Sequence, residues 1–217
     1  MQKSESANRE ISNCWDKSVN LIVTDGVFSM DGDVAKLEEL NDLKNVFPNT
    51  HILLDDCHGA GVLGARGRGT VEHCNSAVDI INGTLGKALG GASGGYTCGP
   101  KEVIELLRQR SRPYVFSNAL APPVVAASIR VLELLEERPQ LLLKLRSNTL
   151  FFRQRLEEAG FMVLGAKECP IVPVLLKDAP LSAAFAQDLF NQGVFVVSLA
   201  FPVVPLNCKY RYSALLL

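Results

Sequence analysis

Short apolar runs alternate along the chain with longer segments in which apolar residues recur every three or four positions. Runs of strand length begin near positions 21, 52 and 78, and each ends in polar or glycine residues. Between the first two runs, apolar residues stand at 34, 37, 40, 43 and 46, a spacing that predicts an amphipathic helix over residues 34–47. A helix between two strands is the crossover that a parallel sheet requires. The pattern therefore predicts an α/β fold with a mostly parallel sheet.

The remainder of the chain is predicted to continue with helices and to finish with short strands. Helical periodicity covers residues 101–112, 124–135, 141–156 and 183–191, and strand-like runs cover residues 161–164, 171–176 and 194–197. We expect a large domain over residues 1–140 and a smaller α+β domain over residues 141–217.

Polar side chains follow each of the three strands predicted in the first domain. One strand runs into Asp55 and His58, a second ends at Asp25, and Lys87 follows the third in a glycine-rich segment, Thr84–Tyr96. In open α/β sheets, ligand-binding groups lie at the carboxyl ends of the strands. Glycines let the backbone approach a ligand closely, and a lysine in a crowded, partly dry pocket becomes a nucleophile that forms a Schiff base with a carbonyl. A Schiff-base lysine beside a carboxylate indicates a pyridoxal-phosphate site, in which an aspartate keeps the pyridine nitrogen protonated.

These three segments, taken in their order along the chain, resemble the α-oxoamine synthases, which are fold-type I pyridoxal-phosphate enzymes. The resemblance extends from about residue 21 to about residue 205, and residues 83–97 and 107–118 are most similar to the member of the family that condenses glycine with acetyl-CoA. It implies a fold-type I large domain followed by a smaller C-terminal domain. Because members of the family are much longer, we expect this chain to be N-terminally incomplete, with the second half of the large domain and a shortened small domain.

The resemblance assigns the central chemistry to three residues. Lys87 corresponds to the lysine that binds the cofactor covalently and later removes a proton from the substrate Cα. Asp55 corresponds to the aspartate that pairs with the pyridine nitrogen, and His58 to the histidine beside the phenolic oxygen of the cofactor. Without that context, a histidine next to glycines is typical of a hydrogen-bonded structural residue. The neighbouring Asp56 and Cys57 are interpreted as a supporting carboxylate and a packing thiol.

Further residues receive roles from the resemblance alone. Ser29 and Thr84 are expected to contact the phenolic oxygen or the phosphate. Ser117 and Asn118 correspond to a pair that reaches the phosphate of the neighbouring subunit, which implies a homodimer with a shared active site. Arg211 is the candidate for the arginine that binds the substrate carboxylate, although an ungapped match puts the following tyrosine at that position. Taken alone, these serines are typical of turns and helix caps, and the threonine is typical of a strand.

The reaction implied by the resemblance is the condensation of glycine with acetyl-CoA to 2-amino-3-oxobutanoate and free CoA, which runs in reverse during threonine degradation. Two alternatives stay open. A sibling synthase would use another amino acid or acyl-CoA, and a non-catalytic chain would only pair with a full-length subunit.

The composition and charge of the chain do not alter the predicted fold and function. The chain of 217 residues is 47% hydrophobic and 21% charged with a net charge of −1, so it has no electrostatic reason to bind nucleic acid or an anionic membrane. The apolar run over residues 194–206 is too short to cross a bilayer, and no targeting segment is visible. The six cysteines show no metal-ligand spacing with the three histidines, so we expect no metal site. Free thiols predict a reducing compartment, either the mitochondrial matrix or the cytoplasm.

Overall fold

The computed structural model describes residues 19–91, 93–176, 178–204 and 214–216. Its strands, β1 to β8 in chain order, are Asn20–Asp25, Thr50–Asp55, Ile80–Thr84, Gly95–Cys98, Met162–Val163, Val174–Leu175, Val197–Leu199 and Ala214–Leu216. Its helices, α1 to α7, are Leu37–Val46, Thr70–His73, Lys101–Arg110, Arg112–Phe116, Pro122–Glu137, Gln140–Glu158 and Ala179–Asn191.

The described residues group into two compact units. The first contains residues 19–26 and 35–137, and the second contains residues 27–34 together with the described residues from 138 onwards. The short segment 27–34 thus groups with the second unit, whereas the predicted division after residue 140 assigned it to the first domain. That division stays a prediction about the domains of the protein.

In the first unit, four strands form one sheet in the order β1-β2-β3-β4. The first three strands are parallel, and β4 is antiparallel to β3. The register pairs Asp25 with Asp55 and Asp55 with Asn82, so the carboxyl ends of the parallel strands lie level with one another. The predicted α/β fold with a mostly parallel sheet is confirmed. The polar residues that follow these strands therefore lie at the same end of the sheet.

Strand β2 carries much of the core of this unit, because its alternate side chains point to the same face of the sheet. Ile52 and Leu54 on this strand are fully buried. Leu54 belongs to an apolar cluster with Ala35 and Leu37, where α1 begins. Full burial of a leucine side chain contributes about 1.5–3 kcal/mol. These contacts therefore hold α1 against the strand that leads into Asp55.

The second unit contains a separate antiparallel sheet in the order β5-β6-β8-β7. Its apolar cluster centres on Val174 and Val196. Phe161 and Phe185 pack against this cluster, with their ring centroids 6.2 Å apart in an edge-to-face arrangement. Helix α7 is thereby joined to the sheet through partly buried apolar side chains.

Two elements of the second unit begin at positions that differ from those predicted. Helix α7 begins at Ala179, four residues before the predicted start, because Asp178 Oδ1 accepts a hydrogen bond from the amide of Leu181 at 2.7 Å and so caps the helix. The last apolar run was predicted to form a strand over residues 194–197, but β7 spans Val197–Leu199. Only Val197 belongs to both.

Candidate active site

The side chains of Lys87 and His58 meet beyond the carboxyl end of the parallel sheet. Lys87 lies in the turn that follows β3, and His58 lies in the turn that follows β2. The two residues are 29 positions apart in the chain, yet Lys87 Nζ is 2.9 Å from His58 Nε2. Because a protonated lysine amine has donors only, this geometry suits donation from Nζ to an unprotonated Nε2.

The electrostatic surroundings of His58 favour the neutral imidazole. Its pKa is lowered from the ordinary value, first by burial of the ring and then by the positive charge of Lys87, while Asp55 and Asp25 act in the opposite direction. A neutral ring accepts a hydrogen bond on the nitrogen that carries no proton. The direction of the pKa shift therefore agrees with the geometry of the contact.

Asp55 ends β2 and contributes a carboxylate to the same cluster. Its Oδ1 accepts a hydrogen bond from the amide of Cys57 at 2.9 Å. Partial burial acts to raise the pKa of Asp55, but the hydrogen bonds from Cys57, the charge of Lys87 and a hydrogen bond from Asn82 outweigh it, and the pKa lies below the ordinary value. Asp55 is thus an ionised carboxylate at neutral pH.

Cys57 lies two residues after Asp55 but is not an activated nucleophile. Burial, a hydrogen bond to Asp55 and the negative charge of that carboxylate raise the pKa of Cys57 to about 11, although Lys87 acts in the opposite direction. A thiol with such a pKa stays protonated near neutral pH, and the thiolate is the reactive form. The structure is consistent with the interpretation of Cys57 as a packing residue.

Asp56 is buried and joins the end of β2 to the start of α2. Its Oδ1 accepts a hydrogen bond from Thr70 Oγ1 at 2.6 Å, and its Oδ2 accepts one from the Thr70 amide at 3.0 Å. Burial raises the pKa of Asp56 even though both hydrogen bonds from Thr70 act to lower it. A Cβ at Gly59 or Gly69 would overlap the carboxylate, so glycine is required at both positions. Asp56 supports the turn that carries the histidine.

Hydrogen bonds within its own loop position Lys87. Thr84 Oγ1 donates to the carbonyl of Gly94 at 3.1 Å and accepts from the amide of Gly86 at 3.2 Å. The amide of Leu85 also donates to Gly94 O, at 2.9 Å. The hydroxyl of Thr84 therefore closes the loop around Lys87 in this structure, and its expected contact with a cofactor stays a prediction.

Two of the predicted site residues belong to other parts of the chain. Ser29 lies in a turn within residues 27–34, which are part of the second unit. Arg211, the candidate for binding the substrate carboxylate, lies outside the described residues. Their roles stay predictions.

Ser117 and Asn118 are exposed in the connection between α4 and α5. This connection packs against the Lys87 loop, because a Cβ built on Gly94 would lie 2.8 Å from the side chain of Leu120. The structure thus brings the predicted phosphate-binding pair into the same unit as the lysine. Its role toward a neighbouring subunit stays a prediction.

The structure adds two residues that the sequence pattern does not single out. Asn82 is the register partner of Asp55 and donates a hydrogen bond to its carboxylate. A polar residue inside the apolar run 78–83 is the signal that could have identified it. Thr70 binds Asp56, and its signal is a hydroxyl residue placed directly after Gly69 at the start of a helix.

Neither a metal-binding cluster nor a membrane-crossing helix is found in the described part of the chain. No group of three or more histidine, cysteine, aspartate or glutamate side chains there is arranged to hold a metal ion. None of the described helices has both the length and the apolar character that a membrane-crossing helix needs.

The three groups at the end of the sheet fit the requirements of pyridoxal phosphate. Lys87 is exposed, rather than held in the crowded, partly dry pocket that the sequence suggests, and its amine is accessible to a cofactor carbonyl. Asp55 presents an ionised carboxylate that could hold a proton on a ring nitrogen. His58 presents a neutral imidazole within hydrogen-bonding distance of the amine. These residues could therefore bind the cofactor covalently through the lysine and pair with its ring nitrogen through the aspartate.

Comparisons with known proteins find similar sequences and structures along most of the chain. The pattern of the family "Aminotransferase class I and II" matches residues 3–213. The 2-amino-3-ketobutyrate coenzyme A ligase of Escherichia coli strain K12 is 49% identical over 207 residues, which cover 94% of this chain and 51% of that enzyme. The mitochondrial 2-amino-3-ketobutyrate coenzyme A ligase of Mus musculus is 49% identical over 189 residues, which cover 86% of this chain and 45% of that enzyme.

A solved structure agrees with these sequence comparisons. It is a serine palmitoyltransferase variant from S. paucimobilis with a bound PLP–myriocin aldimine. The likeness has a TM-score of 0.83 at 27% identity and covers 96% of this chain and 52% of the other. The chain spans about half the length of the curated relatives it matches.

Proposed function

Since the chain belongs to the aminotransferase class I and II family, we propose that the protein is a pyridoxal-phosphate-dependent acyltransferase that condenses glycine with acetyl-CoA. The observation that carries this proposal is the Lys87–His58 contact beside the ionised Asp55 at the end of the parallel sheet. The choice of substrates is supported by the likeness to 2-amino-3-ketobutyrate coenzyme A ligases, which exceeds the identity to serine palmitoyltransferase.

The reaction joins the glycine Cα to the carbonyl carbon of the acetyl group. A proton leaves the Cα, the carbon–sulfur bond of the thioester breaks, and the thiol of CoA takes up a proton. The products are 2-amino-3-oxobutanoate and CoA. When bound, pyridoxal phosphate supplies an electron sink for the α-carbon.

Lys87 would serve this reaction in two ways. Its Nζ would hold the cofactor covalently, and the same amine, once released by glycine, would accept the proton from the glycine Cα. His58 Nε2, which lies 2.9 Å from Nζ, would orient the amine and accept its hydrogen bond. A neutral imidazole suits this task because a second positive charge would repel the lysine.

Asp55 would keep a proton on the pyridine nitrogen. Its pKa lies below the ordinary value, so the carboxylate is charged and can pair with a protonated ring nitrogen. The amide of Cys57 and the side chain of Asn82 fix the orientation of that carboxylate. Orientation and charge would thus both be set before the cofactor binds.

The proposal extends to the assembly and location of the protein. Ser117 and Asn118 are exposed beside the Lys87 loop, which suits a contact with the phosphate bound by a second subunit of a homodimer. Ser29 and Thr84 would contact the phenolic oxygen or the phosphate, and Arg211 would bind the substrate carboxylate. The protein would act in a reducing compartment, either the mitochondrial matrix or the cytoplasm.

A second candidate is a chain that pairs with a full-length subunit without turnover of its own. It is favoured by the exposed aromatic side chains of Tyr114 and Phe116 on α4, which could contact another subunit. A sibling synthase with another amino acid or acyl-CoA is the remaining candidate, and it is tested by offering other acyl thioesters.

The test begins with the purified chain, pyridoxal phosphate and dialysis. Visible absorbance is recorded before and after glycine is added, and release of CoA from acetyl-CoA is then measured with a thiol reagent. The proposal expects a retained absorbance band that shifts with glycine, followed by glycine-dependent release of CoA. A band that shifts with glycine without release of CoA would favour the pairing chain, and no retained band would contradict cofactor binding by this chain.

A further inference from the structure

Arg153 is a buried arginine whose guanidinium donates hydrogen bonds to backbone carbonyls. It lies in α6 with 4% of its surface exposed. Its Nη1 donates to Leu164 O at 2.7 Å, and its Nη2 donates to Ile171 O at 2.7 Å and to Cys169 O at 3.2 Å. Its Nε is buried and has no partner among the described residues. The guanidinium thus gathers three carbonyls of one short segment, residues 164–171.

Burying a charged guanidinium often costs more free energy than filling the same space with apolar side chains. Burial lowers the pKa of Arg153, while Cys169 and two glutamates, Glu157 and Glu168, act to raise it. A buried charge costs free energy unless hydrogen bonds compensate it, and apolar residues of similar volume often fill such a space at lower cost. What the arginine provides beyond packing is a fixed shape for segment 164–171, because a planar fork binds carbonyls only in particular directions.

Segment 164–171 in turn holds the short segment 27–34. The amide of Ala166 donates to Gly32 O at 3.0 Å. Gly165 adopts a φ of +81°, and a Cβ at that position would lie 2.6 Å from Asp31 O. The two backbones therefore touch so closely that a change in one displaces the other.

The held segment is the turn that contains Ser29. The amide of Phe28 donates to Asp33 O at 2.9 Å, and the amide of Gly32 donates to Phe28 O at 2.8 Å. Because these bonds close the turn on both sides of Ser29, the position of its hydroxyl follows that of Gly32. A continuous set of contacts thus runs from Arg153 to Ser29 within one compact unit.

We propose that Arg153 is a positioning residue that fixes the Ser29 turn through segment 164–171, and that its effect on the cofactor acts through the Ser29 hydroxyl. The part concerning the cofactor rests on the proposed function, in which Ser29 contacts pyridoxal phosphate. The part concerning the turn rests on the hydrogen bonds alone.

The first experiment tests the turn without any cofactor. Amide hydrogen exchange is compared between the unmodified chain, Arg153→Gln and the control Arg155→Gln, whose exposed side chain pairs with Glu158 on the same helix. Exchange at Gly32 and Ala166 is expected to rise on the order of tenfold in Arg153→Gln and to stay unchanged in Arg155→Gln. If exchange at Gly32 is the same in all three proteins, the proposal is wrong.

The second experiment tests the link to the cofactor by a double-mutant cycle. The dissociation constant of pyridoxal phosphate is measured for Ser29→Ala, Arg153→Gln and the double variant. If Arg153 acts through Ser29, its substitution weakens binding in the unmodified chain and has no further effect once Ser29 is alanine. Additive effects would show that Arg153 acts only on general stability.

Two outcomes separate this inference from the proposed function. If the unmodified chain retains no pyridoxal phosphate, the proposed function fails, and the exchange experiment still decides whether Arg153 fixes the turn. If Arg153→Gln does not fold, Arg153→Lys replaces it. Its single ammonium group keeps the charge but not the fork, so exchange at Gly32 is expected to rise while the strands of the first unit stay protected.

Discussion

At the scale of single residues, the chemistry of the site depends on which groups carry protons. His58 Nε2 faces an amine at 2.9 Å, so it accepts a hydrogen bond only while it is unprotonated. Burial and the charge of Lys87 both lower the pKa of His58 and favour that state. Asp55 is held in the ionised state in the same cluster. Protonation states are thus set by burial and by charged and polar neighbours, of which Lys87 is distant in the sequence and Cys57 is close.

The lowered pKa of His58 predicts a pH-dependent contribution to stability. In the folded protein His58 binds its proton less readily than in the unfolded chain, so stability falls as pH decreases through the ordinary histidine value of 6.5. His58→Gln lacks this titration. The melting temperature of the unmodified chain relative to His58→Gln is therefore expected to decrease from pH 8 to pH 5. A difference that does not vary with pH would contradict the assignment.

The sequence alone predicts part of this site. Asp55 ends a strand, and His58 and Lys87 each follow one. Because parallel strands finish at the same edge of a sheet, the proximity of these residues could be expected. The hydrogen bond from Asn82 to Asp55 could not, since it depends on the register of β2 and β3. The hydrogen bond from the Thr84 hydroxyl to the carbonyl of Gly94 could not be predicted from the sequence either.

At the scale of elements, apolar spacing predicts the long helices well and the short strands poorly. Helices α5 and α6 contain the predicted ranges 124–135 and 141–156 and extend beyond them at both ends. Strand β4, Gly95–Cys98, was not predicted because it is only four residues long and lies in a glycine-rich segment without apolar alternation. The strand forms because it pairs antiparallel with β3, and a local sequence pattern does not predict that pairing.

The attachment of α2 to β2 predicts a cost for losing one hydroxyl. Thr70→Val keeps the shape of the side chain but removes one of the two hydrogen bonds from Thr70 to the buried Asp56. A hydrogen bond to a charged group contributes about 1.5–3 kcal/mol, so a loss of this size is expected in the free energy of unfolding by urea. The control Thr97→Val removes an exposed hydrogen bond to Asn82 and is expected to cost far less. Equal costs would contradict the anchoring role of Asp56.

At the scale of the whole molecule, large apolar side chains remain exposed in the chain as described. On α4, Tyr114 and Phe116 are 65% and 81% exposed. Exposed apolar side chains that gather on one short helix are typical of an interaction surface. The helix directly precedes Ser117 and Asn118, which the proposed function assigns to contact with a second subunit.

Self-association through this helix is therefore expected. Sedimentation at several micromolar concentrations should give a mass above that of one chain, and the double variant Tyr114→Ser, Phe116→Ser should shift the distribution toward the monomer. The control Phe190→Ser, on α7 of the second unit, removes a side chain that is 60% exposed and should leave association unchanged. Equal shifts in both variants would show that association is unspecific.

In the proposed function, Lys87 binds pyridoxal phosphate covalently. The most direct measurement is reduction of the chain with borohydride after incubation with the cofactor, followed by mass spectrometry of its peptides. We predict the added mass on Lys87, its loss in Lys87→Ala, and its retention in Lys101→Ala, whose side chain is exposed at the start of α3. Equal adducts in the two variants would contradict the claim.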